Sequence, residues 1–165
     1  MVTHHADRLS RPVRAIIAIL PVVVACGLGQ LATAPNLAPW YEGLVKPVFN
    51  PPNWLFAPVW TTLYVLMMYA VWRVLSARLH HEAKPTALFL FFGQLALNAL
   101  WPWLFFARHS PRAGVLEIIP QLILVVATII AFGKIDRVAA WCLVPLAVWV
   151  AFATLLNAAL WSLNG

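Results

Sequence analysis

Five apolar runs, each bounded by charged residues, most constrain the fold of this chain. They lie within residues 14–42, 46–73, 84–108, 112–134 and 137–165. Each run is longer than the roughly 20 residues with which an α-helix crosses the hydrocarbon core of a bilayer. A hydrophobic content of 63% and a mean hydropathy of +0.84 also exclude an ordinary soluble domain. We therefore predict an all-α, polytopic membrane protein built as a five-transmembrane-helix bundle.

The charge boundaries also give the expected helix positions. We predict helices near 15–34, 54–76, 86–106, 113–133 and 138–161, all in one transmembrane domain of residues 14–163. A basic tail of residues 1–13 precedes them, and a proline-rich loop of residues 35–53 joins the first two. The first run has one competing interpretation, because Ala32-Thr33-Ala34 resembles a signal-peptidase site. Its length favours a retained helix.

Lys and Arg residues are distributed unevenly between the two sides of such a bundle. Eight of the 11 fall on the N-terminal side and three on the other: Arg8, Arg11, Arg14, Arg73, Arg78, Lys84, Lys134 and Arg137 against Lys46, Arg108 and Arg112. The positive-inside rule then places the N-terminus in the cytoplasm of a bacterial cell membrane. In a eukaryote we would expect the mitochondrial outer membrane. Topology and lipid headgroups explain the net charge of +6, so we expect membrane lipids and no nucleic acid as partners.

Aromatic and amide side chains recur at helical spacing inside the predicted spans. They are Trp60 and Tyr64 in the second helix, Gln94, Asn98, Trp101 and Phe105 in the third, and Trp149 and Ala153 in the fifth. An amide inside a membrane span is costly unless it meets a partner, so the amides should face inward. Interhelical hydrogen bonding is their commoner use, and packing or interfacial anchoring is an alternative role for the tryptophans. Together these residues also describe a ligand cavity with aromatic walls, suited to a tetrapyrrole, a sterol or a flat heteroaromatic molecule.

Two acidic residues need separate interpretation. Glu117 lies inside the predicted fourth helix, where an ionisable group is a functional candidate such as a proton relay. We favour the simpler expectation that it reaches the interface or pairs with Arg112. Asp136 lies between Lys134 and Arg137, and we expect a solvated turn there.

Several separated motifs resemble one known family. The stretch WYEGLVKPVFNPPNWLFAPVWTTLYVLM of residues 40–67, the third-helix sequence FFGQLALNALWPWLFF and the pattern from Asp136 to Asn157 are similar to the signatures of the TspO/MBR family. This family comprises the tryptophan-rich sensory and translocator proteins and is also called the peripheral-type benzodiazepine receptor family. The resemblance covers about residues 15–161.

The resemblance implies a site and a ligand class. Members are five-helix membrane bundles, often dimeric, that bind porphyrins, haem precursors, sterols and synthetic drugs in a pocket closed by the first loop. By this resemblance Trp60, Asn98, Trp149 and Ala153 line the pocket. The lid residues would be Trp40, Lys46, Pro47 and Phe49. Porphyrin or haem would be a ligand, and we expect no cofactor and no metal site. A homodimer would form through small residues at 93–96 or 25–29.

Three functions follow as expectations. The first is a membrane-embedded binding or sensory protein for tetrapyrroles or similar flat hydrophobic ligands, with a role in their transport or regulation. The second is light-dependent porphyrin degradation with Trp60 and Trp149 as redox-active residues, as the resemblance implies. The third is a sterol or lipid translocator, which loses weight because neither Tyr nor Lys/Arg follows Asn157. We expect no other enzyme activity, since phosphate loops, nucleophile elbows and paired carboxylates are lacking in the sequence.

Overall fold

Five long α-helices form the described parts of this protein, residues 10–77 and 82–165 of a computed structural model. They are α1 (Arg11–Thr33), α2 (Asn53–Ser76), α3 (Lys84–Pro102), α4 (Pro111–Gly133) and α5 (Arg137–Asn164). Each belongs to a segment long and apolar enough to cross a membrane. The prediction of an all-α membrane protein with five spanning helices is confirmed.

The first helix differs from its predicted bounds at both ends. It begins at Arg11 because proline is favoured in a first turn, so residues 11–13 are not part of a tail. After Thr33 the chain continues through a short turn of 3-10 helix, Ala34–Asn36, and a π-helical turn, Leu37–Tyr41. The irregular lid is therefore shorter than predicted. The rest of the predicted tail, residues 1–9, lies outside the described residues, as does Arg78.

The helices pack as a ring. In spatial order they are α1, α2, α5, α4 and α3, and α3 returns to α1. Helices α2 and α3 share little direct contact, so they face each other across the middle of the ring. Side chains of α2 and α3 meet there, as in the hydrogen bond between Tyr64 and Asn98.

The turn between α4 and α5 is tied to α2 rather than simply solvated. Asp136 accepts a hydrogen bond from the Ala139 backbone N–H at 3.0 Å and therefore caps α5. Its other carboxylate oxygen forms a salt bridge with Arg73 Nη2 at 2.8 Å. The hydrogen bond from Arg73 lowers the pKa of Asp136 below its ordinary value. Our expectation of a merely solvated turn was wrong, because α2 ends beside this turn.

Small residues of α1 contact the same protomer. Ala25 and Gly29 belong to the buried face of the helix, and a Cβ on Gly29 would lie 3.5 Å from Pro102 of α3. A Cβ on Gly93 would similarly meet Leu124 of α4 at 3.6 Å. The suggestion that residues 25–29 form a dimer face was wrong, because that face packs within the ring. A homodimer stays a prediction.

Candidate functional site

One face of α2 carries three aromatic rings at successive helical turns. Phe56, Trp60 and Tyr64 are spaced four residues apart, and the rings of Trp60 and Tyr64 lie 5.4 Å apart. The Tyr64 hydroxyl donates a hydrogen bond to Asn98 Oδ1 of α3 at 3.2 Å. Trp60 and Tyr64 are therefore directed into the ring, towards α3.

Helix α5 supplies the adjoining aromatic wall. The Trp149 ring lies 5.8 Å from Phe56 and 5.6 Å from Phe152. Ala153 follows Trp149 by one turn, and both side chains pack partly buried against the main core. Trp149 thus joins the aromatic face of α2, with the small side chain of Ala153 one turn further along α5.

Helix α3 closes the inner end of this space with two amides. Gln94 and Asn98 are buried on one face of α3. Gln94 Nε2 has only a weak acceptor, Met67 Sδ at 3.7 Å on α2, and Gln94 Oε1 has no hydrogen-bond partner among the described residues. Asn98 Nδ2 likewise finds no partner within that part of the chain. We define Trp60, Tyr64, Asn98, Trp149 and Ala153 as the aromatic site, and Gln94 with Asn98 as its amide floor.

Two predicted ligand residues lie mainly in a different cluster. Phe105 is almost completely buried and stacks on Trp101 with ring centroids 4.8 Å apart. Trp101 also donates a hydrogen bond to Asn157 Oδ1 at 3.1 Å. Trp40 packs on Phe105 at 5.4 Å and stacks on His109 at 4.7 Å. These contacts place Phe105 beneath the lid residue Trp40. Trp101 lies between this cluster and the main core, since it packs against both.

The lid is closed over the outer end of the ring. Lys46 Nζ donates hydrogen bonds to three lid carbonyls, those of Tyr41, Glu42 and Leu44, at 2.8, 3.0 and 3.3 Å. Two hydrogen bonds between the Asn164 side chain and the Val45 backbone, at 2.9 and 3.0 Å, attach the lid to the end of α5. The ammonium group of Lys46 therefore binds backbone carbonyls of the lid itself.

Phe49 links the lid to the aromatic site. Its ring lies 6.3 Å from Phe152, which contacts Trp149 in turn. Pro47 accepts a hydrogen bond from the Asn50 backbone N–H at 3.0 Å and so helps to shape the turn before Phe49.

Three residues of this region were missed by the sequence analysis. Phe56 and Phe152 join the aromatic walls, and Met67 lies under the amide floor. Phe56 lies one turn before Trp60 and Phe152 nearly one turn after Trp149, so helical spacing could have identified both. No sequence signal separates Met67 from other apolar residues of the core.

Glu117 lies inside the protein rather than at the interface. Its relative exposure is 6%, and neither carboxylate oxygen has a hydrogen-bond partner among the residues that the structure describes. Arg112 is exposed. Five residues correspond to about 140° around a helix, so the two side chains lie on different faces. The expected pairing with Arg112 was wrong.

Comparison with known proteins gives a consistent result. The sequence profile of the TspO/MBR family matches residues 17–162. The chain is 39% identical to the tryptophan-rich protein TspO of Chlorobaculum tepidum, covering 86% of this chain and 90% of that protein. It is 38% identical to the human translocator protein over 76% of this chain and 75% of that one. The tryptophan-rich sensory protein of Cereibacter sphaeroides is 37% identical, with 84% and 85% covered. On this evidence the chain, an integral multi-pass membrane protein, belongs to the TspO/MBR family.

Proposed function

We propose that this protein binds tetrapyrroles, or flat hydrophobic molecules of similar size, at the aromatic site. The observation that carries this proposal is the combination of half-buried aromatic rings with unpartnered amide atoms at one depth of the ring. Stacking on Trp60, Tyr64 and Trp149 would supply affinity. The free atoms of Gln94 and Asn98 would fix the orientation of the ligand.

The register of the helices supports one common depth for these groups. Tyr64 is hydrogen-bonded to Asn98. Trp101 follows Asn98 by three residues and is hydrogen-bonded to Asn157. Ala153 precedes Asn157 by one turn, so it lies close to the level of Asn98. This register supports the proposal that side chains from α2, α3 and α5 contribute to one site in the half of the ring nearest the lid.

The biological role that we propose is sensing or transport of such a ligand. Relatives carry the names tryptophan-rich sensory protein and translocator protein, which describe signalling and movement. We propose a bacterial cell membrane with a cytoplasmic N-terminus, on the basis of the charge distribution. Light-dependent porphyrin degradation through Trp60 and Trp149 stays a prediction, and an unchanged porphyrin spectrum under illumination would exclude it.

The proposal is tested by ligand affinity in three variants. Trp149→Phe and Asn98→Ala should each weaken protoporphyrin IX binding by about tenfold, which corresponds to a loss of roughly 1.4 kcal/mol. Trp141→Phe is the matched control, because Trp141 lies on α5 with a relative exposure of 71%. Its affinity should equal that of the wild type. Unchanged affinity in both site variants would place the ligand elsewhere.

A further inference from the structure

The amide floor contains one acceptor atom and one donor atom without a hydrogen-bond partner among the described residues. The free acceptor is Gln94 Oε1, because the Gln94 amide N–H group faces the sulfur of Met67, which accepts but does not donate. The free donor is Asn98 Nδ2, because Tyr64 already occupies Asn98 Oδ1. Both atoms are buried, and neither finds a partner among the described residues. Buried polar groups are normally paired, so these two atoms are suited to a ligand.

The spacing of these atoms restricts the group that could bind both. Gln94 and Asn98 are four residues apart on one face of α3, which separates their Cα atoms by about 6 Å. Their polar ends therefore lie close enough for one small group to contact both through hydrogen bonds of about 2.9 Å each. A carboxylic acid, a primary amide or a lactam presents an acceptor and a donor side by side. Any of these three groups could accept from Asn98 and donate to Gln94.

Charge restricts the group further. Lys46, the lid cation, already contacts three backbone carbonyls. The buried charged residues in the described spans are Lys84, which is bonded to the carbonyl of Leu75 at the opposite end of the ring, and Glu117, an acid. A carboxylate anion at the amide floor would therefore lack a counter-ion, and burial of an unpaired charge is strongly unfavourable. The group must be uncharged.

We propose that Gln94 and Asn98 bind, as an acceptor and donor pair, the uncharged carboxylic acid, amide or lactam edge of the flat ligand. This inference rests on the proposed function, because it assigns the orientation of a ligand in the aromatic site. Gln94 becomes a specificity-determining residue that selects ligands with a hydrogen-bond donor at the inserted edge. Ligands that carry only an acceptor there should bind less tightly.

Three porphyrins in wild-type protein test the proposal without any substitution. The diamide of protoporphyrin IX carries a donor and an acceptor on each of its two modified propionates, whereas the dimethyl ester keeps only acceptors there. The free acid is ionised near neutral pH and must take up a proton before it can donate. We expect the diamide to bind about tenfold more tightly than the ester, as for one buried hydrogen bond. The acid should bind more tightly as the pH is lowered towards the ordinary carboxyl pKa, because the uncharged form is the one that binds. The diamide separates hydrogen bonding from charge, because it has no ionisable side chain. Equal affinity of the diamide and the ester would overturn the inference and leave the proposed function intact.

A substitution then assigns the preference to Gln94. Gln94→Met keeps the length of the side chain and removes the acceptor, so affinity for diamide and ester should differ by less than about twofold. Gln121→Met is the control, since Gln121 is a buried amide of α4 outside the floor, and it should retain the tenfold preference. A preference that survives Gln94→Met would show that the ester is excluded by its size and would overturn the inference. Absence of saturable binding by all three porphyrins would instead contradict the proposed function itself.

Discussion

Asn98 illustrates how one side chain serves both packing and recognition. Its Oδ1 accepts a hydrogen bond from the Tyr64 hydroxyl and so connects α3 with α2 across the ring. Its Nδ2 donates a hydrogen bond to no described residue. Interhelical hydrogen bonding and ligand binding are often treated as alternative roles for a membrane amide, but this geometry allows both. Asn157 differs, because its Oδ1 accepts from Trp101 and its Nδ2 donates to the Pro111 carbonyl. We therefore assign Asn157 to packing alone.

Glu117 gives the prediction that belongs to the residue scale. A buried polar group without a partner costs about 1–3 kcal/mol, so replacing it with an apolar side chain should stabilise the fold. Glu117→Leu should raise the midpoint of thermal unfolding in detergent, measured by tryptophan fluorescence at one fixed heating rate. Glu117→Gln is the control, because it keeps an unpaired polar group and should gain less. A midpoint several degrees below that of the wild type in Glu117→Leu would show that the carboxyl group has a stabilising partner.

At the scale of the helices, Gly114 determines how closely α4 approaches its neighbours. A Cβ at this position would lie 2.5 Å from Asn157 Oδ1 of α5, 3.0 Å from the Phe105 ring and 3.2 Å from Trp101 Nε1 of α3. The hydrogen bond between Trp101 and Asn157 thus passes directly over the glycine. Three segments meet here because this residue has no side chain.

Gly114→Ala should therefore destabilise the bundle. The added methyl group must displace Asn157, and overpacking of this kind costs about 1–3 kcal/mol. Gly27→Ala is the matched control, because no heavy atom lies within 4 Å of the Cβ it would add. We expect a lower unfolding midpoint for Gly114→Ala and an unchanged or higher one for Gly27→Ala, where alanine also favours the helix. Equal midpoints for the two variants would contradict the close packing of α4, α5 and α3.

At the scale of the whole molecule, the ring order joins the lid to the aromatic site. The lid is attached to α5 through Asn164, and the same helix carries Phe152 and Trp149 deeper in the ring. Phe49 bridges the two regions by contact with Phe152. A ligand that enters past the lid would meet these rings first and the amide floor last.

The ring order also separates what the sequence could predict from what it could not. Helix positions follow from local hydropathy, so the ends of α2 and α4 lie within about two residues of their predicted bounds. The amides at 94 and 98 were expected to face inward because an unpaired amide is unfavourable in lipid, and both are buried. The residues that surround Phe105 and Glu117 depend instead on which helices are neighbours. Helical spacing carries no information on that order, so their surroundings could not be predicted.

The central claim is that Trp60 and Trp149 form the walls of a tetrapyrrole site, and one titration tests it most directly. Protoporphyrin IX is added to purified protein in nanodiscs in the dark, and binding is followed by tryptophan quenching. The wild type is compared with Trp60→Phe/Trp149→Phe and with a control, Trp54→Phe/Trp141→Phe, whose two tryptophans are each 71% exposed. We predict saturable binding in the micromolar range, on the order of −8 kcal/mol, which the control keeps and the site variant loses. Quenching that is not saturable, or that is equal in both double variants, would contradict the account.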